Sequence, residues 1–329
     1  MVKALMYGSN DVQLLNPKLE NLFERSMSNP SSPPLFQKQL YELALISDKT
    51  TRVHWPCTRD SDIPVLRDEE SGVVFLAQLP DLQAHYDKKT ISKNSEAEVF
   101  TREGLLKLKR NDDLRRRLDQ TRDLISGRKI CDFGTGRGLF LDHAISVARN
   151  VSGVEIRKDM CDMIRKRLGD SVSLFSDITH APEQFDVVTL FHVLEHIPDQ
   201  IGILRAIFES LAPGGLIFVE VPHARDFLIE DIKSEAYCNF TFWSEHMVLH
   251  TKESLAVFMR DAGFVGISVD GFQRYGLANH LYWLQHRKPG GHEHYAHLVD
   301  DEADAAYSRN LVRRDRSDTL IAVARKPVA

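Results

Sequence analysis

The chain is poor in cysteine: four in 329 residues, and Cys57, Cys131, Cys161 and Cys238 stand far apart with no paired spacing. That excludes a disulfide framework and reads as reduced thiols in a cytoplasmic protein. No apolar run approaches the roughly 20 residues that span a bilayer, so no membrane partner is expected. The opening stretch Met1–Asn10 has one lysine but no sustained apolar region, unlike a secretory leader. A basic surplus is missing too. Lys and Arg number 42 against 47 Asp and Glu, a net charge of −5, which argues against nucleic acid as partner. No segment repeats. What remains is an ordinary globular balance, 43% hydrophobic and 27% charged, with room for one large domain or a core with an accessory region.

Three regions follow from the patterning. Residues 1–95 include the loop-like Asn29-Pro30-Ser31-Ser32-Pro33-Pro34, which no helix interior tolerates, and the β-like Gly72–Leu76. Residues 96–128 form a charged helical connector. Leu105, Leu106, Leu108, Leu114, Leu118 and Leu124 approximate one apolar face. Arg115-Arg116-Arg117 reads as its solvated side, with anion binding as the alternative. From Lys129 onward strands and helices alternate. Strands are expected at Ile130–Phe133, Val151–Glu155, Ser173–Phe175, Phe185–Phe191, Leu216–Val221, Val265–Val269 and Thr319–Val323. Helices are expected at Leu139–Ala148, Met160–Leu168 and Ile201–Leu211. This alternation argues for an α/β fold whose parallel sheet is covered on both faces. Residues 222–250 and 273–317 fit no simple unit and read as insertions with a functional purpose.

The most informative segment is Ile130-Cys131-Asp132-Phe133-Gly134-Thr135-Gly136-Arg137-Gly138-Leu139. An apolar strand runs into glycines at every second position and then into a helix. A sharp strand-to-helix turn with a ligand pressed against it needs residues without Cβ. A dinucleotide fingerprint reads G-x-G-x-x-G, and here the third glycine comes one residue early. Glu155 ends the next strand, 21 residues after Gly134, where a carboxylate can accept both hydroxyls of a ribose. Ser176-Asp177-Ile178 follows the third strand. Phe185–Phe191 runs into His192-Val193-Leu194-Glu195-His196-Ile197, and Leu211-Ala212-Pro213-Gly214-Gly215 turns into the fifth strand.

Five such matches in chain order, over residues 129–221, resemble the class I S-adenosylmethionine (SAM)-dependent methyltransferases. The resemblance implies a Rossmann-like, seven-stranded, mostly parallel sheet and SAM as cofactor. It places Asp132, Gly134, Thr135, Gly136, Gly138, Glu155, Ile156, Asp177, Ile178, Phe191 and His192 at the cofactor. Asp132 is equally suited to orient the loop through backbone amides. Glu195 and His196 are equally suited to cap the following helix, and Gly214 and Gly215 to form a turn. An NAD-dependent oxidoreductase is the rival reading of this half, against which the glycine spacing speaks. A catalytically silent SAM-binding scaffold is the rival outside the enzymes.

Two further segments bear on the acceptor. Trp55–Asp60 and Asp68–Phe75 resemble the two-knuckle zinc ribbon that opens several bacterial sugar methyltransferases. Here Asp68 and Ser71 stand at thiol positions and only Cys57 remains, too few ligands for structural zinc. The expectation is an eroded ribbon without metal. Pro56-Cys57 resembles a cytosine-methyltransferase nucleophile only superficially, since it precedes the cofactor loop. His292, His294 and His297 read as solvated loop histidines. Leu190-Phe191-His192-Val193 replaces the Asn/Asp-Pro-Pro-aromatic turn of enzymes that methylate DNA or protein nitrogens. Glu245-His246, within Phe242–Leu255, is similar to an acid–base motif of sugar-modifying relatives, although His250 stands at its aromatic position. The resemblance thus implies a small, sugar-like acceptor methylated on a hydroxyl or carbon, His246 as general base with Glu245 in support, and His196 as the competing base. A histidine suits that role because imidazole titrates near neutrality. A homo-oligomer is compatible with all of this.

Overall fold

The computed structural model describes residues 33–81 and 112–328. The helix expected from Glu96 is seen from residue 112 onward, and its earlier part lies outside the described residues. So does the loop at Asn29–Ser32.

The large sheet has seven strands in the order β10-β11-β8-β7-β4-β5-β6. They are β4 (Lys129–Phe133), β5 (Asn150–Val154), β6 (Ser173–Phe175), β7 (Phe185–Phe191), β8 (Leu211–Pro222), β10 (Val265–Phe272) and β11 (Thr319–Arg325). β4 to β8 pair in parallel, while β11 runs antiparallel to both of its neighbours. The central strands are buried on both faces, as their unbroken apolar runs require. Ile130, Cys131, Val187, Val188, Leu190, Ile217 and Val219 are fully enclosed. Strand order reverses between β4 and β7, and the carboxyl ends on either side of that point form the crevice where such sheets take ligands.

Helices α2 (Asp112–Ile125), α3 (Leu139–Ala144), α4 (Lys158–Leu168) and α5 (Gln200–Ser210) link or cover these strands, after α1 (Leu35–Glu42). Of the predicted apolar face of α2, Leu114 is buried and Leu118 and Leu124 are half-buried, while Ile125, outside that face as read from the sequence, is fully buried. The Arg115–Arg117 run departs from expectation. Arg115 is exposed, but Arg116 and Arg117 turn inward and pair with Glu220 of β8 at 2.7 and 2.8 Å. A carboxylate buried in a central strand needs cations, and this helix supplies them.

The accessory region builds a second, antiparallel sheet of β1 (Thr51–Trp55), β2 (Val65–Asp68), β3 (Val74–Leu76) and β9 (Val248–Leu249). Its last strand comes from the insertion at 222–250, which also holds α6 (Phe227–Glu230) and α7 (Glu235–Thr241). Asp68 is buried at the β2–β3 turn. Its carboxylate accepts from the backbone N–H groups of Ser47 (3.2 Å), Glu70 (3.1 Å) and Ser71 (2.9 Å), and from the Thr50 hydroxyl. Removing the acceptor leaves buried donors unpaired, each costing about 1–3 kcal/mol. Asp68→Ala is therefore expected to destabilise the protein by roughly 2–4 kcal/mol, measured by thermal melting. An unchanged melting curve would show that the turn does not depend on this carboxylate.

After α8 (Lys252–Asp261), the insertion at 273–317 folds as α9 (Leu277–His286), α10 (Gly291–His294) and α11 (Asp301–Arg313) between β10 and β11. His292, His294 and His297 are exposed, the first two on α10. Cys131, Cys161 and Cys238 are buried free thiols, and Cys57 is a partly exposed one. Among the described residues no helix is long and apolar enough to cross a membrane.

Candidate active site

The glycine loop leaves β4 and is pinned to β5, where Gly134 and Thr135 both donate N–H to the Val154 carbonyl at 2.9 and 3.1 Å. Gly134 adopts φ +74°, and a Cβ there would lie 2.5 Å from Val193. No L side chain fits that turn without moving the β7 loop. At Gly136, by contrast, an added Cβ would point into open space. Its N–H donates to Glu155 Oε2 at 2.8 Å, and Arg157 N–H donates to Oε1 at 2.9 Å. Each oxygen keeps a lone pair for a further donor. Burial raises the Glu155 pKa above its usual value, opposed by those two amides.

Glu155 faces a cleft of about 400 Å³ at the carboxyl ends of the strands. Gly134, Ile156, Asp177 and His192 line it from the cofactor-side residues, and His196 and Glu245 from the proposed acid–base groups. Ile156 is 63% exposed, an apolar shelf at the cleft. Asp177 caps the turn after β6, accepting from Thr179 N–H at 2.8 Å and from its hydroxyl at 2.7 Å. A second cavity of about 310 Å³ shares Gly134 and is lined by Asp132, Thr135, Phe191, Arg117 and Arg274. Asp132 is buried and accepts from Thr189 Oγ1 at 2.7 Å. Burial lifts its pKa to about 6, against the hydroxyls of Thr189 and Thr135. The remaining sequence candidates serve these walls indirectly. Ile178 is part of the core, and Gly138 packs against Ile164 at the start of α3.

Buried carboxylates and histidines crowd the end of β7. His192 sits at φ +56°, a left-handed conformation uncommon for a residue other than glycine. Its Nδ1 lies 3.1 Å from Glu195 Oε1, and its Nε2 lies 3.1 Å from Glu220 and 2.7 Å from the Arg274 guanidinium. Burial opposes protonation of His192, yet the two carboxylates raise its pKa. Burial likewise works to raise Glu195, but its hydrogen bond to His192 and the nearby imidazoles bring it down to about 2. For Glu220, the pull of burial is outweighed by His192, Arg116 and Arg117, which hold it well below the usual carboxylate range. Arg274 is in turn tied to Asp113 of α2.

His196 donates from Nδ1 to the Glu245 carbonyl at 3.0 Å, which leaves Nε2 with its lone pair, 3.8 Å from Glu195 Oε1. The His246 ring lies 4.9 Å from that of His196 and does not line the cleft. Burial, with His196 beside it, lowers the His246 pKa to about 3. The loop carrying Glu245 and His246 is held from the accessory side. Asp60 accepts from Ser244 N–H (3.0 Å) and hydroxyl (2.6 Å), and the Arg59 guanidinium stacks 4.3 Å from Trp243. Met247 N–H donates to the Glu195 carbonyl at 2.8 Å. His250, at the aromatic position of the sugar-enzyme motif, is buried between Gln200 (2.8 Å) and Ser254 (3.0 Å) and serves the scaffold.

Sequence reasoning passed over Glu220, Arg274, Asp113 and the inward Arg116 and Arg117. One signal was present: a glutamate inside the otherwise apolar β8 has to be paired.

A family profile described as a methyltransferase domain matches residues 106–269. The match covers just under half of the chain and gives it a methyltransferase domain. Two curated relatives are both named ubiquinone biosynthesis O-methyltransferase. The one from Thiobacillus denitrificans is 30% identical over 132 residues, 37% of this chain and 57% of the relative. The one from Stutzerimonas stutzeri is 30% identical over 102 residues, 29% of this chain and 44% of the relative. The chain thus spans about half the length of the curated relatives it matches. Among solved structures, a SAM-dependent methyltransferase from Archaeoglobus fulgidus aligns with a TM-score of 0.46 at 19% identity, covering 65% of this chain and 93% of that one. Haemonchus contortus phosphoethanolamine N-methyltransferase 2, in complex with SAM, aligns with a TM-score of 0.46 at 16% identity, covering 77% of this chain and 62% of that one.

Proposed function

We propose that this protein transfers the methyl group of SAM to a hydroxyl of a small molecule. The observation that carries the reading is one cleft lined at once by Glu155 and Asp177 and by His196 and Glu245. The residues present fit the cofactor. Glu155 offers its remaining lone pairs to the ribose, Ile156 an apolar surface to the adenine, and Asp177 an acceptor near the adenine amino group. Gly134, Thr135 and Asp132 border the adjoining cavity for the amino-acid end. SAM supplies a methyl group on a sulfonium, an electrophile that needs no further activation. The protein's task is to align the acceptor and dispose of its proton. We assign the second task to the Glu195–His196–His246 cluster. His196 is the member that meets the acceptor, because it lines the cleft and His246 does not.

For the acceptor we propose a sugar-like hydroxyl, supported by Trp243, whose half-buried ring stands edge-on to His196 and His246 at the loop bordering the cleft. The same region supports the eroded-ribbon reading, with Asp68 hydrogen bonds organising the knuckle turn. A second reading, an aromatic hydroxyl of the kind a quinone precursor carries, is favoured by the curated relatives, both named for O-methylation in ubiquinone biosynthesis. A panel of nucleotide sugars and phenols, assayed with methyl-labelled SAM, separates them. The first reading expects label in the sugar set. Label confined to phenols would replace it with the second, and label in neither set would leave a SAM-binding protein without this activity.

A further inference from the structure

The geometry points to a divalent-cation site, of the zinc type, formed by Glu195, His196 and His246. One ligand atom from each residue can be chosen so that all lie within 4.8 Å of one another. Two independent features indicate that something beyond protein belongs there. Glu195 is fully buried, yet its Oε2 has no hydrogen-bond partner, and the buried Nδ1 of His246 has none either. A fully buried carboxylate oxygen left bare is costly, and a cation removes that cost.

The surroundings are those of a prepared ligand set. Metal-binding histidines donate their other ring N–H to a carbonyl or carboxylate, which fixes the tautomer and aims the lone pair at the ion. His196 does this. Its Nδ1–H is held by the Glu245 carbonyl and its Nε2 faces Glu195. Glu195 is itself oriented through Oε1 by His192. Bonds of about 2.0–2.2 Å to nitrogen and carboxylate oxygen require the three groups to close in slightly. The two half-buried imidazoles can supply that movement. Two neutral imidazoles and one carboxylate are a borderline donor set, suited to zinc rather than to magnesium or calcium, which prefer all-oxygen shells. Three protein ligands leave a coordination position open, and one of the three, His196, lines the cleft.

This inference rests on the preceding assignment of the cluster to the acceptor's end of the cleft, and it says how the cluster deals with the proton. An acceptor hydroxyl bound to the ion releases its proton to solvent at lower pH. Its oxygen then forms the new bond to the methyl carbon while the carbon–sulfur bond breaks, and that electron pair stays on sulfur.

The test uses the tag-free protein of residues 1–329, stripped with chelator and titrated with zinc chloride by calorimetry. SAM is titrated into the same preparations. Losing an outer-shell partner of a metal typically weakens affinity about 10–100-fold, so losing a direct ligand should cost about a hundredfold or more. One zinc per chain is expected, weakened at least that much in His246→Ala and Glu195→Gln. The double variant His292→Ala/His294→Ala, which removes exposed histidines elsewhere, should bind like the parent. Zinc X-ray absorption should show two imidazoles in the first shell. No zinc binding by the parent, or undiminished binding in Glu195→Gln, would overturn the site. So would loss confined to the His292/His294 variant. Glu195→Gln is nearly isosteric, so it decides the matter even if His246→Ala does not fold. SAM binding without zinc binding defeats only the metal site, whereas failure to bind SAM defeats the methyltransferase reading itself.

Discussion

His196→Ala is expected to lose methyl transfer by about 10²–10⁴-fold, the range for removing a positioned proton-handling group. SAM affinity should change little, because the residues assigned to the cofactor, Gly134, Glu155, Ile156 and Asp177, are untouched. The size of the effect follows from position. His196 lines the cleft, its tautomer is set by the Glu245 carbonyl, and it stands beside the buried Glu195. Turnover and SAM binding should be measured side by side for His196→Ala and His246→Ala. A normal rate in His196→Ala with loss in His246→Ala would return the leading role to His246, the residue favoured by motif alone. Normal rates in both would mean that alignment suffices and the proton leaves directly to water.

The cofactor half of the site was legible in the sequence because its residues are local. Strand, turn and helix follow each other within Ile130–Leu139, and a missing Cβ leaves a mark in the spacing of glycines. Glu155 likewise comes at the end of the next strand, so a count along the chain finds it. Long-range pairing leaves no such mark. Nothing near Arg116 announces that it meets Glu220, 104 positions away, or that Arg274 closes onto Asp113. The basic run was therefore read as a solvated face, when two of its three arginines neutralise a buried strand carboxylate. The order of His196 and His246 at the cleft was hidden for the same reason. It depends on β9 pairing with β3, which ties the Glu245–His246 loop to an accessory sheet some 170 residues earlier in the chain. The helices of 273–317 escaped because Gly276 and the Lys288-Pro289-Gly290-Gly291 stretch give the segment the look of a loop, although α11 runs for 13 residues.

The central claim, a SAM site organised by Glu155, is tested most directly by calorimetric titration of SAM and NAD into the parent protein and Glu155→Ala. A charge-assisted hydrogen bond contributes about 1.5–3 kcal/mol, so losing the carboxylate should weaken SAM binding at least about tenfold. The variant also releases the Gly136 and Arg157 amides that Glu155 now holds, which adds to the loss. The account predicts one SAM per chain, no comparable affinity for NAD, and that weakening in the variant. Tight NAD binding without SAM binding, or a Glu155→Ala protein that binds SAM as the parent does, would contradict it.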